Sequence, residues 1–247
     1  MNIKWYEILE STNDTAASES GRLDNLSIVA TFCQTKGRGQ RGNSWSAKAG
    51  ENLLFSILLK EFSLFGLAPL PASRQFLLSR AAALAVVEFL KGFGLSARIK
   101  WPNDIYVGDK KICGILIENT LRGSQLSRCI TGIGINLGQR EFPASLPNPT
   151  SVALETGRGF TREQLQDGLE RFSRLYESLL PVSPQELSQR YESLLYRRGE
   201  WHAYREQPSG IGFEGKILGT DEGGRLYIED RSGRRRDYAF KEVEFVI

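Results

Sequence analysis

Apolar and polar residues alternate over residues 3–9, a period of two that predicts a half-buried strand. The next stretch, "ESTNDTAASESG", predicts a helix with Ser11 or Thr12 as its cap and Gly21 as its end. Two nearly continuous apolar runs follow, "LSIVATFC" over 26–33 and "ENLLFSILLK" over 51–60, and each reads as a buried strand. The strongest helical pattern spans 72–94, where apolar residues cover a broad face and Gly92 supplies a stop. Strand-like pieces recur over 96–101, 111–119 and 127–138. The proline-rich segment 141–153, "EFPASLPNPTSVA", predicts loop. Helices are expected over 161–179 and 184–196.

The pattern changes near Arg198. From Trp201 to Ile247 short strands alternate with turn signals, Asp221–Gly224 and Ser232–Gly233 among them. This divides the chain into an α/β (α+β) part over 1–198 and a small β-barrel over 199–247.

Charge and composition narrow the chemistry. No apolar run approaches the ~18 residues of a membrane span. The N-terminus "MNIKWYEILE" lacks an apolar signal core, so a cytoplasmic protein is expected. Cys33, Cys113 and Cys129 stand far apart and give no C-x-x-C, which argues against a disulfide framework. A net charge of +3 is too weak for the basic stripe of a nucleic-acid binder. The single histidine, His202, nearly removes Ser-His-Asp, Cys-His and histidine-based metal chemistry.

Three segments carry candidate chemistry. "QTKGRGQRGNSW", Gln34–Trp45, contains G-x-G-x-x-G at Gly37, Gly39 and Gly42. A dinucleotide site needs a helix straight after that motif, and here turn-forming residues and a strand follow instead. A kinase-type loop also lies between strands, but its partner motifs are missing. What remains is a strand–loop–strand with Lys36, Arg38 and Arg41 and no acid until Glu51. It reads either as a mobile loop that closes over an anionic small molecule or as a solvated hairpin tip. The second segment, Lys100–Glu118, sets Asn103 and Asp104 before a strand beginning at Ile105, with Lys111 in the hairpin beyond. Its alternative reading is a tryptophan corner with solvated lysines. In the third, "GIGINLG", Gly132 and Gly134 leave one strand face bare and Asn136 projects from that face, or another backbone packs there.

Together these segments resemble the biotin protein ligases (biotin–[acetyl-CoA-carboxylase] ligases). Members carry S-T-N, G-R-G-x-x-G-x-x-W, K-W-P-N-D with a following K-x-x-G-I-L-x-E, and G-I-G-[IV]-N. Here these are Ser11–Asn13, Gly37–Trp45, Lys100–Asp104 with Lys111–Glu118, and Gly132–Asn136. The resemblance implies a catalytic domain related to class II aminoacyl-tRNA synthetases, with a mixed sheet, and a C-terminal SH3-like β-barrel. It implies ATP, biotin and Mg²⁺ as reactants, biotinyl-5′-AMP as intermediate, and one lysine of a biotin carboxyl carrier domain as acceptor. By the same resemblance Ser11, Thr12, Asn13, Gln34, Gly37, Arg38, Lys111 and Gly114 contact biotin. Arg38, Arg41, Trp45, Asn103 and Asn136 contact ATP or the adenylate, and Lys111, Arg38, Arg41 and Asp104 serve the chemistry. Asp104 is the candidate for Mg²⁺, or for orienting a lysine. Trp101 is expected to be structural and the cysteines inert core. The chain departs from the often-quoted G-R-G-R-R-G-R-x-W at Gln40 and Asn43, which bears on how firmly the loop retains its intermediate. Strand 3–9 follows Met1 directly, so no operator-binding unit and no specific DNA partner are expected. A monomer or homodimer, without membrane association, is expected.

Overall fold

The structure, a computed structural model, describes the backbone of residues 1–65 and 70–247, and the side chains of these except at 41, 64 and 65. Seven strands build one mixed sheet: β1 (Ile3–Tyr6), β2 (Ile28–Thr31), β3 (Leu53–Leu59), β4 (Ala97–Lys100), β5 (Asp104–Val107), β6 (Lys110–Arg122) and β7 (Gln125–Ile135). Their order is β1-β2-β3-β7-β6-β5-β4. β1 and β2 are parallel, and α1 (Thr12–Ser18) makes the crossover that a parallel pair requires. The other pairings in this sheet are antiparallel.

β3 reads as a continuous apolar run because every one of its residues is buried, with a helix on each side of the sheet. Leu53, Phe55, Ile57 and Leu59 enter the large core with α2 (Phe76–Lys91), α4 (Arg162–Leu179) and α5 (Pro184–Ser193). On the opposite face Leu58 packs with Val29, Ile130 and Ala16 of α1. Alternation along the strands puts Ser56, Gly114, Leu116, Glu118, Gly132 and Gly134 on the α1 face, and that face carries the site described below.

Several boundaries differ from expectation for local reasons. β1 stops at Tyr6, and α1 stops at Ser18, short of Gly21. Lys4 Nζ and Tyr6 Oη both donate to the Glu19 carboxylate and tie the helix end to β1. α5 stops at Ser193 because the next residues bond the β4 edge: Ile99 N donates to Leu194 O and Tyr196 N to Ile99 O. The segment expected as loop over 141–153 ends in a short helix, α3 (Val152–Thr156), where the Ser151 hydroxyl accepts from Leu154 N. Helix 72–94 resolves into a 3₁₀ turn at Ala72–Arg74 and then α2, which Gly92 caps as expected.

A separate antiparallel sheet follows, consistent with an SH3-like unit: β8 (Trp201–Glu206), β9 (Gly212–Thr220), β10 (Leu226–Asp230), β11 (Arg235–Tyr238) and β12 (Val243–Phe245), in the order β11-β10-β9-β8-β12. The turn between β9 and β10 docks on the larger part of the fold. Arg80, buried in α2, donates to Asp221 O at 2.7 Å and to Thr220 Oγ1 at 3.2 Å. Trp101 Nε1 donates to Gly224 O at 2.8 Å, so Trp101 is structural, as expected. Gly224 has φ +90°, and a β-carbon there would lie 2.5 Å from the Phe76 ring. Among the described residues no helix is long and apolar enough to cross a membrane.

Candidate active site

A cleft of about 1310 Å³ opens on the α1 face, floored by β5, β6 and β7 and walled by the 34–45 loop and β12. Of the residues singled out from the sequence, Ser11, Thr12, Asn13, Gln34, Arg38, Trp45, Asn103, Asp104, Lys111, Gly114, Gly132 and Gly134 line it.

Its deep end is polar and closely wired. The Ser11 hydroxyl caps α1, accepting from Asp14 N at 3.4 Å. Gln34 Oε1 accepts from Thr12 N at 2.8 Å and from Thr12 Oγ1 at 3.2 Å. Ser56 Oγ bonds Thr12 Oγ1 at 2.7 Å and Asn13 Oδ1 at 2.6 Å. Asn13 Nδ2 donates to Glu118 Oε2 at 2.6 Å. A β-carbon on Gly132 would stand 2.3 Å from Asn13 Oδ1, so bare backbone is required there. Ser11, Thr12, Asn13 and Ser56 are nearly inaccessible, and a buried polar set of this kind fixes geometry.

The loop folds back on itself. Trp45 N donates to Gly37 O and Gly39 N to Asn43 O, with a 3₁₀ turn at Gln40–Gly42 between them. Arg41 lies in that turn, and its side chain is outside the described residues. A β-carbon on Gly37 would stand 2.4 Å from Trp45 O. The Trp45 indole lies against Gly114 and Gly134, where added β-carbons would come within 2.8 and 2.5 Å of it. Its Nε1 is buried without a hydrogen-bond partner.

The expectation that this loop has no acid nearby is corrected. Residues distant in sequence supply three. Lys36 pairs with Glu10 at 2.8 Å. The Arg38 guanidinium grips both oxygens of Glu118 at 2.8 Å each, and its Nη2 also donates to Asp14 Oδ1 at 2.7 Å. Burial alone would raise the Glu118 pKa, but hydrogen bonds from Arg38 and Asn13 outweigh it and hold the carboxyl below its ordinary value.

At the opposite end Lys111 Nζ meets Asp104 Oδ1 at 2.6 Å and lies 5.6 Å from the Trp45 ring centroid. The predicted loop positions this lysine: Lys111 N donates to Asn148 O and Thr150 N to Lys111 O. Asn103 Nδ2 donates to Ile115 O at 2.6 Å, which locks the turn before β5. Asn136 does not line the cleft. It is buried at the end of β7, with Nδ2 donating to Thr150 O at 2.9 Å, and it steadies the same loop from below. One of the two readings of the second segment leaves Lys100 solvated. It lines the cleft with its Nζ 5.2 Å from the Tyr106 ring and 5.0 Å from the Phe245 ring, and makes no ion pair among the described residues. Burial pushes its pKa down. The clustering of Lys100 with the K-W-P-N-D turn was the available signal. Arg205, Lys241 and Phe245 of the second sheet also line the cleft, and no sequence pattern marked them.

Asp104 is the lone candidate for Mg²⁺, and its carboxylate is committed to Lys111. Among the described residues no group of three metal-ligating side chains exists. The donor set therefore does not fit a resident ion, and Asp104 pairs with Lys111 in this arrangement. Cys113 and Cys129 are buried as expected, and burial raises both thiols, Cys129 to about 12; Cys33 is half-buried.

A concave, cation-bearing cleft with a buried polar end and glycine-bared walls is the kind of site that takes a small molecule. The model of the biotin/lipoate A/B protein ligase family matches residues 5–136, and the chain belongs to that family; it is a ligase. Its relatives include the biotin–[acetyl-CoA-carboxylase] ligase of Paracoccus denitrificans, 31% identical over 92% of this chain and 93% of that one. The bifunctional ligase/repressor BirA of Bacillus subtilis is 29% identical over 95% of this chain and 71% of its own length. The biotin protein ligase of Aquifex aeolicus, solved in complex with biotin and ATP, is 27% identical, covers 99% of both chains and superposes with a TM-score of 0.76.

Proposed function

We propose that this protein activates biotin with ATP and transfers it to a specific lysine of a biotin carboxyl carrier domain. A biotin carboxylate oxygen attacks the α-phosphorus and the bond to the β-phosphate breaks. Biotinyl-5′-AMP and pyrophosphate result. The acceptor amine then attacks the acyl carbon, and AMP leaves. A carboxylate is already ionised at neutral pH, so the first step needs no general base. Its barrier is the meeting of two anions, which positive groups and backbone N–H donors lower. The observation that carries this reading is the pairing of two ends in one cleft. A buried polar end, Ser11, Thr12 and Gln34, suits a ureido ring, and a cationic end, Lys111 and Lys100, suits a carboxylate meeting a phosphate.

In this reading Gly37 and Gly114 admit the ligand close to backbone, Trp45 covers it, and Arg41 serves the phosphates. Asn136 acts on the nucleotide side through the 148–150 loop. Mg²⁺ arrives on the phosphates of ATP as part of the substrate. Asp104 receives the proton that the acceptor ammonium must lose, since a lysine's reference pKa is ~10.4. Residues 1–198 form the catalytic domain and 199–247 the SH3-like one, in a cytoplasmic protein whose cysteines stay reduced.

The test is incubation with ATP, Mg²⁺, a carrier domain and either labelled biotin or labelled lipoate. Label on the carrier lysine from biotin is expected. Label from lipoate and not biotin refutes the assignment.

A further inference from the structure

Glu118 ends the K-x-x-G-I-L-x-E run, yet it does not line the cleft, and the proposed reaction gives it no task. Its carboxylate nevertheless joins the loop to the α1–β3 hydrogen-bond network. From the loop it accepts both Nη atoms of Arg38 at 2.8 Å, a two-pronged, charge-assisted pair. From the fixed side it accepts Asn13 Nδ2 at 2.6 Å, and Asn13 is itself held by Ser56 of β3. Glu118 sits on β6 opposite Ile130 of β7, beyond the stretch that β5 pairs. The loop is thereby tied to the α1–β3–β6 network.

The charges around Arg38 point the same way. Its guanidinium faces two carboxylates, Glu118 and Asp14, so an incoming anion finds that cation already more than neutralised. Other cations that line the cleft, Lys111 and Lys100 at its floor among them, do not carry two acids.

We propose that Glu118 is a positioning residue that, by gripping Arg38 against the β6–α1 network, holds the 34–45 loop closed over the cleft and so governs how long the activated intermediate is retained. The retention half of this rests on the reading of the cleft as an adenylate site; the loop-pinning half does not.

Glu118→Gln isolates the effect, because its amide oxygen still accepts from Asn13 while its NH₂ opposes the Arg38 donors. The ligand-free protein and the variant are treated with trypsin, and cleavage after Lys36, Arg38 and Arg41 is followed by mass spectrometry. Cleavage in this loop is expected to be about tenfold faster in the variant, with an unchanged melting temperature, since cutting tracks the open population. Release of preformed labelled biotinyl-AMP is expected to be about fivefold to tenfold faster, with its single-turnover formation within about twofold. Asp14→Asn, which leaves the two-pronged pair intact, is expected to shift both rates less. Unchanged loop cleavage, slower release of the intermediate, or an equal effect from Asp14→Asn overturns the proposal. Cutting spread along the whole chain makes Glu118 merely structural and also overturns it. If the wild-type protein forms no biotinyl-AMP, the proposed function fails, and the tryptic comparison alone decides the role of Glu118.

Discussion

Replacing Gly134 with alanine separates the loop's closure from the stability of the fold. Gly134 lies in β7, paired with Gly114 on one side and Leu54 on the other, and its α1 face is covered by the Trp45 indole. A β-carbon there stands 2.5 Å from Trp45 Cε2 and 2.6 Å from Nε1, where ordinary contact begins near 3.4 Å. One partner must therefore move by about 1 Å. β7 is buried between β3 and β6, whereas Trp45 rides on a surface loop and is half-buried, so the indole gives way. Overpacking of this size costs about 1–3 kcal/mol, charged here to the closed loop. At ~1.36 kcal/mol per factor of ten, biotin affinity is expected to fall by roughly 5- to 150-fold. Replacing a strand glycine with alanine removes chain entropy from the unfolded state and stabilises by about 0.5–1 kcal/mol. Melting temperature is thus expected to hold or rise while affinity falls. Isothermal titration with biotin and scanning calorimetry read the two quantities on one preparation. Gly159→Ala, at a position with nothing within 4 Å, is the control. Undiminished affinity, or affinity and melting temperature falling together, refutes the argument that Trp45 on bare glycine is the closed arrangement.

The remaining predictions test charge. Lys111→Met is expected to slow adenylate formation by about 10²–10³-fold in a pyrophosphate-release assay, and a loss under threefold would exclude it from that step. Asp104→Asn is expected to slow transfer from preformed biotinyl-AMP more than it slows adenylate formation; an unchanged transfer rate removes its role as proton acceptor. Arg80→Met removes the charged donor of Asp221 O and Thr220 Oγ1, leaving Asp221 O only Gly224 N, and is expected to cost about 1–3 kcal/mol, seen as a lower calorimetric midpoint. Lys100 has its folded pKa pushed below the ordinary 10.5 by burial, so between those two values the unfolded chain binds more protons and stability rises with pH. Lys100→Met is accordingly expected to raise the melting temperature by about 2–4 °C at neutral pH, and that gain should shrink as pH approaches 10.5; a gain constant from pH 7 to 10 contradicts it.

What the sequence disclosed follows the range of the forces involved. Buried strands and the long helix were legible because burial sets a hydrophobic period, and β3 and α2 obey it. The turn residues of the second sheet were legible because the reversals at 221–225 and 231–234 use Asp, Ser and Gly. The short elements were less so: α3 depends on one serine cap, and α5 loses its last turn to hydrogen bonds with β4. The site was legible as motifs and not as a network. That Gly132, Gly114 and Gly134 are needed because Asn13 and Trp45 press on them is a relation between residues a hundred positions apart. Lys36 and Arg38 seemed unpaired because their acids, Glu10, Asp14 and Glu118, come from other elements. Lys100 could not be told from a solvated lysine, since its neighbours Tyr106 and Phe245 belong to two different sheets.

The arrangement also explains how a chain with one histidine, which does not line the cleft, serves a two-step acyl transfer as proposed. The first step asks for positive charge where two anions meet, and the second asks for a negative group where an ammonium must shed its proton. Asp104 and Lys111, 2.6 Å apart, hold one of each in mutual contact. An anion that engages Lys111 weakens the hold of that lysine on Asp104. The carboxylate is then available when the acceptor lysine arrives. Lys100, a few residues away and without an acid of its own, keeps the cleft attractive to phosphate while that exchange takes place. The acids that would oppose this field, Glu118 and Asp14, are paired with Arg38. On the proposal above, its guanidinium contributes by where it holds the loop, and Lys111 and Lys100 carry charge that the substrates meet.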